Sequence, residues 1–187
     1  MKIETREQLI AKQKEYHDSL NSQRKQILIC AGTGCLAGGS GEIYRRMSEL
    51  AEENPDIDVE FGPEIAHGSG PLEVKKSGCH GFCEMGPLMR IEPAGILYTK
   101  VKPEDCDEIF HRTIEKGDVI RHLLFKQDGL EYKKQEEIPF YKKQTRNVLK
   151  NCGHIDAEHI EEYISTGGYE ALEKVLFEMT PQEVVEE

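Results

Sequence analysis

The stretch Ile27-Leu28-Ile29-Cys30-Ala31-Gly32-Thr33-Gly34-Cys35-Leu36-Ala37 carries the reading of this fold. Four consecutive apolar residues have the length of a buried strand, and the Gly-rich run behind them ends it in a turn. Past the turn, Ser40 is placed to cap a helix over about Gly41 to Glu53, where Ile43, Met47, Leu50 and Ala51 fall on one face. Asp58 to Phe61, Leu72 to Lys75, Leu88 to Ile91 and Ile96 to Val101 read as strands. Pro103 opens a last helix in which Cys106, Ile109, Phe110 and Ile114 share a face. A strand, a helix, a group of strands and a closing helix predict an α/β sandwich over residues 27–120.

Outward from this core the pattern changes. Residues 1–26 read as an N-terminal helix: Thr5 and Gln8 form a capping box, and Leu9, Ile10, Gln13, Tyr16, His17 and Leu20 recur at helical spacing. The apolar stripe is thin, so this helix needs a surface to dock on, its own domain or a partner. From Pro139 the chain turns helical again. Phe140 to Lys150 ends at Asn151-Cys152-Gly153, and Lys142, Lys143, Arg146 and Lys150 form a basic stripe read as a solvated face. Asp156 is expected to cap a helix to about Ser165, Gly167-Gly168 break it, and Tyr169, Leu172, Val175, Leu176 and Met179 line the next. Thr180-Pro181-Gln182-Glu183 is a full helix-start signal with little chain behind it. Residues 121–187 are therefore expected to be a linker and the helical start of a domain that is not completed.

Charge narrows the function. The 187 residues hold 24 Lys+Arg against 35 Asp+Glu, a net charge of −11, which argues against nucleic acid or an anionic membrane as the main partner. The longest uncharged stretch, Gln26 to Gly41, is rich in glycine and too short to span a bilayer. Met1 to Lys25 is polar throughout, with no secretory signal. A cytoplasmic location is expected, where six Cys serve as ligands or plain thiols rather than disulfides.

Four of those cysteines form two close pairs, Cys30-x4-Cys35 and Cys79-x3-Cys83, each in a Gly-bearing loop. Glycine leaves room for backbone N–H groups to point at sulfur. Four thiolates suit a [2Fe–2S] cluster, two for each iron, and they also suit tetrahedral zinc. The loose, unequal spacing favours the two-iron cluster over the two-residue knuckle common in structural zinc sites. Neither pair has the Cys-x-x-Cys spacing of a dithiol redox motif. A competing pattern, Gly32-Thr33-Gly34-Cys35-Leu36-Ala37 with Asp56 and Asp58 further on, fits a dinucleotide loop but leaves Cys79 and Cys83 unexplained. Cys106 reads as a core thiol and Cys152 as structural. His80 is expected either to face solvent or to hydrogen-bond the cluster; His67 has no evident partner.

The cysteine loops, Cys30-x4-Cys35 and Gly78-Cys79-His80-Gly81-Phe82-Cys83, resemble those of the thioredoxin-like [2Fe–2S] ferredoxins. The segment from Ile138-Pro139-Phe140-Tyr141 through Asn151-Cys152-Gly153 to Gly167-Gly168-Tyr169 resembles the stretch leading into the flavoprotein, NADH-oxidising subunit of respiratory complex I. The matching form is the long one, with an N-terminal ferredoxin domain, used by electron-bifurcating hydrogenases and NAD-dependent formate dehydrogenases. The resemblance implies a thioredoxin-like α/β domain with an N-terminal helix and a helical C-terminal extension. It also implies a [2Fe–2S] cluster on Cys30, Cys35, Cys79 and Cys83, relaying single electrons among the subunits of a redox complex. FMN and NAD(H) would be held downstream or on a partner chain, because the family's Gly-rich flavin loop has no counterpart before Glu187. The chain alone is not expected to oxidise NADH. A zinc-stabilised interaction module and a small nucleotide-binding protein using Gly32 to Ala37 remain the alternatives.

Overall fold

The computed structural model describes residues 3–21, 25–55, 57 and 72–187. The strand expected over Asp58 to Phe61, the acidic residues Asp56 and Asp58, and His67 with its loop lie outside the described residues. The chain divides into two compact units, Ser22–Glu158 and Met1–Asn21 together with His159–Glu187. No helix among the described residues is long and apolar enough to cross a membrane.

Among the described residues the larger unit is built on a four-stranded sheet of order β2-β1-β3-β4: β1 Gln26–Cys30, β2 Glu73–Ser77, β3 Met89–Glu92 and β4 Ile96–Tyr98. β1 and β2 are parallel, whereas β3 runs antiparallel to both β1 and β4. A helix region between β1 and β2 and another after β4 complete the order of a thioredoxin-like α/β fold. Alternation along β1 sends Ile27 and Ile29 into one apolar cluster and Cys30 into another. The first cluster takes Ile43, Met47 and Leu50 from α3, Ser40–Glu53, and Cys106, Ile109, Phe110 and Ile114 from the helix after β4. That last helix begins with the turn Pro103–Asp105, continues as α4, Cys106–Glu108, and widens to π geometry over Ile109–Ile114, where Glu115 N–H bonds to Phe110 O at 3.0 Å.

Several boundaries differ from the sequence reading. The Gly-rich turn after Cys30 closes into a short helix, α2, Thr33–Ala37, which leads directly to α3. Gly39, at φ +94°, stands where a cap would, so Ser40 is the first residue of α3 and not its cap. Its hydroxyl is buried without a hydrogen-bond partner.

The chain after residue 120 covers the sheet's open edges. Leu97 N–H bonds to Lys133 O at 2.9 Å and Thr99 N–H to Leu123 O at 2.8 Å, along the β4 edge. Ala157 N–H bonds to Lys76 O at 3.2 Å, and Ser77 bridges Asp156, along the β2 edge. Unpaired strand edges are stabilised by such partners. Between these contacts lie a hairpin, β5 Phe125–Gln127 and β6 Leu130–Tyr132, and a short helix, α5 Pro139–Lys142. Ile138 and Tyr141 join Cys30, Cys35, Phe82, Leu88 and Leu97 in the second apolar cluster. The helix expected over Phe140 to Lys150 stops after one turn, and its basic residues do not share a helical face. Asp156 likewise caps no helix; it is buried, and its Oδ1 accepts Glu158 N–H at 2.8 Å.

The smaller unit brings the N-terminal helix α1, Arg6–Asn21, against α6, Ile160–Ser165. Thr5 caps α1, its Oγ1 accepting Gln8 N–H at 3.3 Å. Arg6 pairs with Glu173 and Glu178 of α7, Glu170–Glu178. The thin apolar stripe thus finds a surface in the chain itself. The start signal at Thr180 is realised in α8, Pro181–Glu186, with Thr180 N–H on Glu183 Oε2 at 2.7 Å.

Candidate metal centre

Parallel pairing decides where the cysteines meet. In the β1–β2 register Cys30 lies opposite Ser77, so both strands end together and both cysteine loops leave the same end of the sheet. Cys30 N–H bonds to Leu88 O at 3.0 Å and Ala31 N–H to Ser77 O at 2.9 Å, which holds this junction closed. α2 then carries Cys35 back over it, while the loop after β2 delivers Cys79 and Cys83.

All four sequence-predicted cysteines come together. Cys30 interacts with the thiols of Cys35 and Cys79. Cys79 Sγ lies 3.7 Å from Cys83 Sγ and receives Gly81 N–H at 3.3 Å. Two glycines, Gly32 and Gly86, sit where a side chain would crowd a sulfur. A Cβ on Gly32 would meet Cys79 Sγ at 3.3 Å, and one on Gly86 would meet Cys35 Sγ at 2.7 Å. Cys30 and Cys35 are buried, Cys79 is half-buried and Cys83 is exposed, so the group lies at the protein's edge. Among the described residues no three His, Cys, Asp or Glu side chains converge as a ligand group for a single ion; the sulfurs meet in neighbouring pairs.

Electrostatics favours thiolate at Cys30. Its thiol is pushed down to about 6, first by the Cys35 thiol and then by backbone N–H groups of His80 and Gly32, against the cost of burial. Cys35 is pushed up in turn, by Cys30 and by burial, with the Leu88 N–H opposing. The thiol of Cys83 is raised by Cys79. Four sulfurs from two loops, with N–H donors aimed at them and no Cβ in the way, fit a thiolate-ligated cluster.

His80 is neither solvent-facing nor turned to the sulfurs. It is fully buried, with Nε2 2.9 Å from Ser77 Oγ and Nδ1 2.9 Å from Gln135 Oε1. A carbonyl oxygen only accepts, so Nδ1 carries the proton and the Ser77 hydroxyl donates to Nε2. Burial holds the ring neutral, down to about 4. Tyr141 O–H donates to His80 O at 3.1 Å. Gly153, at φ +86°, lies against the imidazole, where a Cβ would stand 2.9 Å from Nδ1. The Cys79–Cys83 loop is thereby clamped by residues 135–153. Cys152 belongs to this clamp, its Sγ 3.2 Å from where a Cβ of Gly78 would lie. Cys106 is in the core, its thiol raised to about 12 by burial.

Sequence reasoning missed Arg146, which leaves the expected basic stripe and donates from Nη2 to Cys79 O at 3.3 Å. No local signal marks it, because its acceptor is a backbone carbonyl far away in the chain. The Gly32 to Ala37 loop lies against Cys79 and Cys83. Among the described residues the sheet holds one parallel strand pair, β1 with β2, and the end of that pair is taken up by the cysteine loops.

The fold and the paired cysteine loops define a thioredoxin-like α/β domain with a thiol-lined edge. The chain is similar to several known proteins. It is 28% identical over 90 residues to a 2Fe-2S ferredoxin of Aquifex aeolicus, covering 48% of this chain and 71% of that one. Over 45 residues it is 58% identical to the NADP-reducing hydrogenase subunit HndC of Solidesulfovibrio fructosivorans, covering 24% of this chain and 9% of that subunit. A solved thioredoxin-like [2Fe-2S] ferredoxin from Aquifex aeolicus aligns with a TM-score of 0.44 at 24% identity, covering 57% of this chain and 94% of that one. No family model matches the chain.

Proposed function

We propose that this chain is a one-electron carrier in which Cys30, Cys35, Cys79 and Cys83 hold a [2Fe–2S] cluster. The observation that carries the reading is the convergence of two Gly-bearing loops at one end of a parallel strand pair, with Gly32 and Gly86 where a Cβ would crowd the sulfurs of Cys79 and Cys35. The similar ferredoxin is described as a 2Fe-2S protein, which supports the same ligand chemistry here. Such a group supplies reversible transfer of a single electron when bound. The chain's own residues ligate, direct N–H groups of Gly32, His80, Leu88 and Gly81 at sulfur, and keep the Cys79–Cys83 loop rigid through neutral His80.

The finer reading is a relay within a multi-subunit hydrogenase or dehydrogenase of the cytoplasm. The similarity to a hydrogenase subunit supports it. Partners would be a flavin- and NADH-binding module and other iron–sulfur subunits, with residues 121–187 as the connection and residues 1–26 and 27–120 as helix and ferredoxin domain. Six free thiols suit a reducing compartment.

Anaerobic purification followed by iron and sulfide analysis, a visible spectrum and low-temperature EPR after dithionite tests the proposal. Equal iron and acid-labile sulfide with a reducible EPR signal, lost in Cys79→Ser and Cys83→Ser, is the expected result. A colourless protein holding zinc and no sulfide would establish the structural-zinc alternative instead.

A further inference from the structure

Arg146 brings a charge to the cysteine loop that forms no ion pair among the described residues. Its Nη2 donates to Cys79 O at 3.3 Å, and its Nη1 is buried with no hydrogen-bond partner. No carboxylate forms an ion pair with it among the described residues. Arg90, a buried cation of the same region, is by contrast paired with Glu92. The Tyr141 hydroxyl links the two sides of the site: burial pushes it up, the Cys30 and Cys79 sulfurs add to this, and Arg146 and Arg90 oppose it. The carbonyl that receives Arg146 belongs to one of the four cysteines, in a loop held rigid by His80 and Tyr141.

We propose that Arg146 is a positioning residue that fixes a positive charge beside the cysteine loop and thereby raises the reduction potential of the bound group, an inference that rests on the cluster reading above. Reduction adds one electron, taken from dithionite in the assay, and so one negative charge to the iron and thiolates together. A nearby fixed cation stabilises the reduced form more than the oxidised form. Half-burial limits screening by water and salt, so the effect survives at ordinary ionic strength. The charge comes from the segment beyond the strands and helices of the ferredoxin core, so that the position of residues 139–158 is coupled to the electron affinity of the site.

The test is an EPR-monitored redox titration of the whole chain as wild type, Arg146→Gln and Arg146→Lys, with iron and sulfide content and circular dichroism measured on each. Arg146→Gln is expected to shift the one-electron equilibrium about tenfold toward the oxidised form, about 59 mV downward. Arg146→Lys, which keeps the charge, is expected to stay within about threefold of wild type, as a purely steric role would not allow. An unchanged potential in Arg146→Gln overturns the inference, as does an equal shift in both variants. Loss of the cluster from Arg146→Gln makes the arginine a structural support and overturns it too. Each of these results leaves the electron-carrier reading standing, because wild type still holds its cluster. Wild type without iron and sulfide removes that reading, and the inference with it.

Discussion

Gly86→Ala isolates a single contact at the cysteine site. Gly86 has φ −72° and ψ 163°, extended backbone open to any residue, so alanine brings no conformational strain. Its Cβ would stand 2.7 Å from Cys35 Sγ and 3.3 Å from Cys83 O. Neighbours at optimal separation are about 3.5–4.0 Å apart, so the sulfur or the loop must move. Cys35 is 2% exposed and cannot swing into solvent. Overpacking of this kind costs about 1–3 kcal/mol. Restricting the unfolded chain offsets about 0.4–1 kcal/mol of that, leaving a net loss of about 0–2.6 kcal/mol, centred near 1.3. Gly34→Ala is the control. There a Cβ would meet Cys83 Cβ at 3.7 Å and Sγ at 3.9 Å, ordinary contact, and alanine favours α2 over glycine by up to about 1 kcal/mol. Urea unfolding of the reduced, cluster-free chain reads the first effect, and iron and sulfide content after reconstitution reads the second. Gly86→Ala should lower both, while Gly34→Ala should match or exceed wild type. Wild-type values for Gly86→Ala, or equal damage from Gly34→Ala, would refute the reasoning that glycine is needed here for its missing Cβ.

Other perturbations address the clamp and the remaining thiols. Gly153→Ala combines a left-handed φ of +86° with a Cβ 2.9 Å from His80 Nδ1; backbone strain alone costs about 1–2 kcal/mol, so its urea midpoint should fall further than that of Gly86→Ala. In the folded, cluster-free chain at pH 8, iodoacetamide should modify exposed Cys83 well before buried Cys106, whose thiol is raised to about 12, as peptide mapping by mass would show. Burial, with Arg90 and then Arg146, lowers His154 below its ordinary 6.5. The unfolded chain therefore binds this proton first, and stability present above about pH 6.5 should decline as the pH falls toward the folded-state value. Replacing His154 with Gln should flatten the urea midpoint between pH 7 and pH 5; an unaltered slope would assign the acid sensitivity elsewhere.

Much of the sheet unit was legible because its signals are local. Ile27 to Cys30, the helix carrying Ile43, Met47 and Leu50, and the face Cys106, Ile109, Phe110 and Ile114 all follow from periodicity, and all are buried in the structure. The helix that periodicity predicts over Phe140 to Lys150 gives way after α5 for a physical reason. Its residues have adequate helical spacing, but Tyr141 is drawn under Phe82, with ring centroids 5.5 Å apart, and Arg146 is drawn to Cys79 O. Tertiary contacts overrode a weak local preference. The residue types of Ser40 and Asp156 suit caps, but Ser40 lies one residue inside α3, behind Gly39, and Asp156 sits beside the β2 edge with its Oδ1 on Glu158 N–H.

By itself the sequence determined which atoms are available for chemistry: four sulfurs in two glycine-bearing loops, on a strand-and-helix order of thioredoxin-like type. It could not determine what surrounds them. His80 became a buried, neutral tether only because Gln135 meets it across a separation of 55 residues, and Arg146 reaches a carbonyl 67 residues earlier. The burial of a polar side chain depends on a distant partner that satisfies its hydrogen bonds, and no local pattern encodes that partner. The parallel register of Cys30 with Ser77, and the later segment that covers the sheet's edges, were likewise decided by pairings between distant parts of the chain.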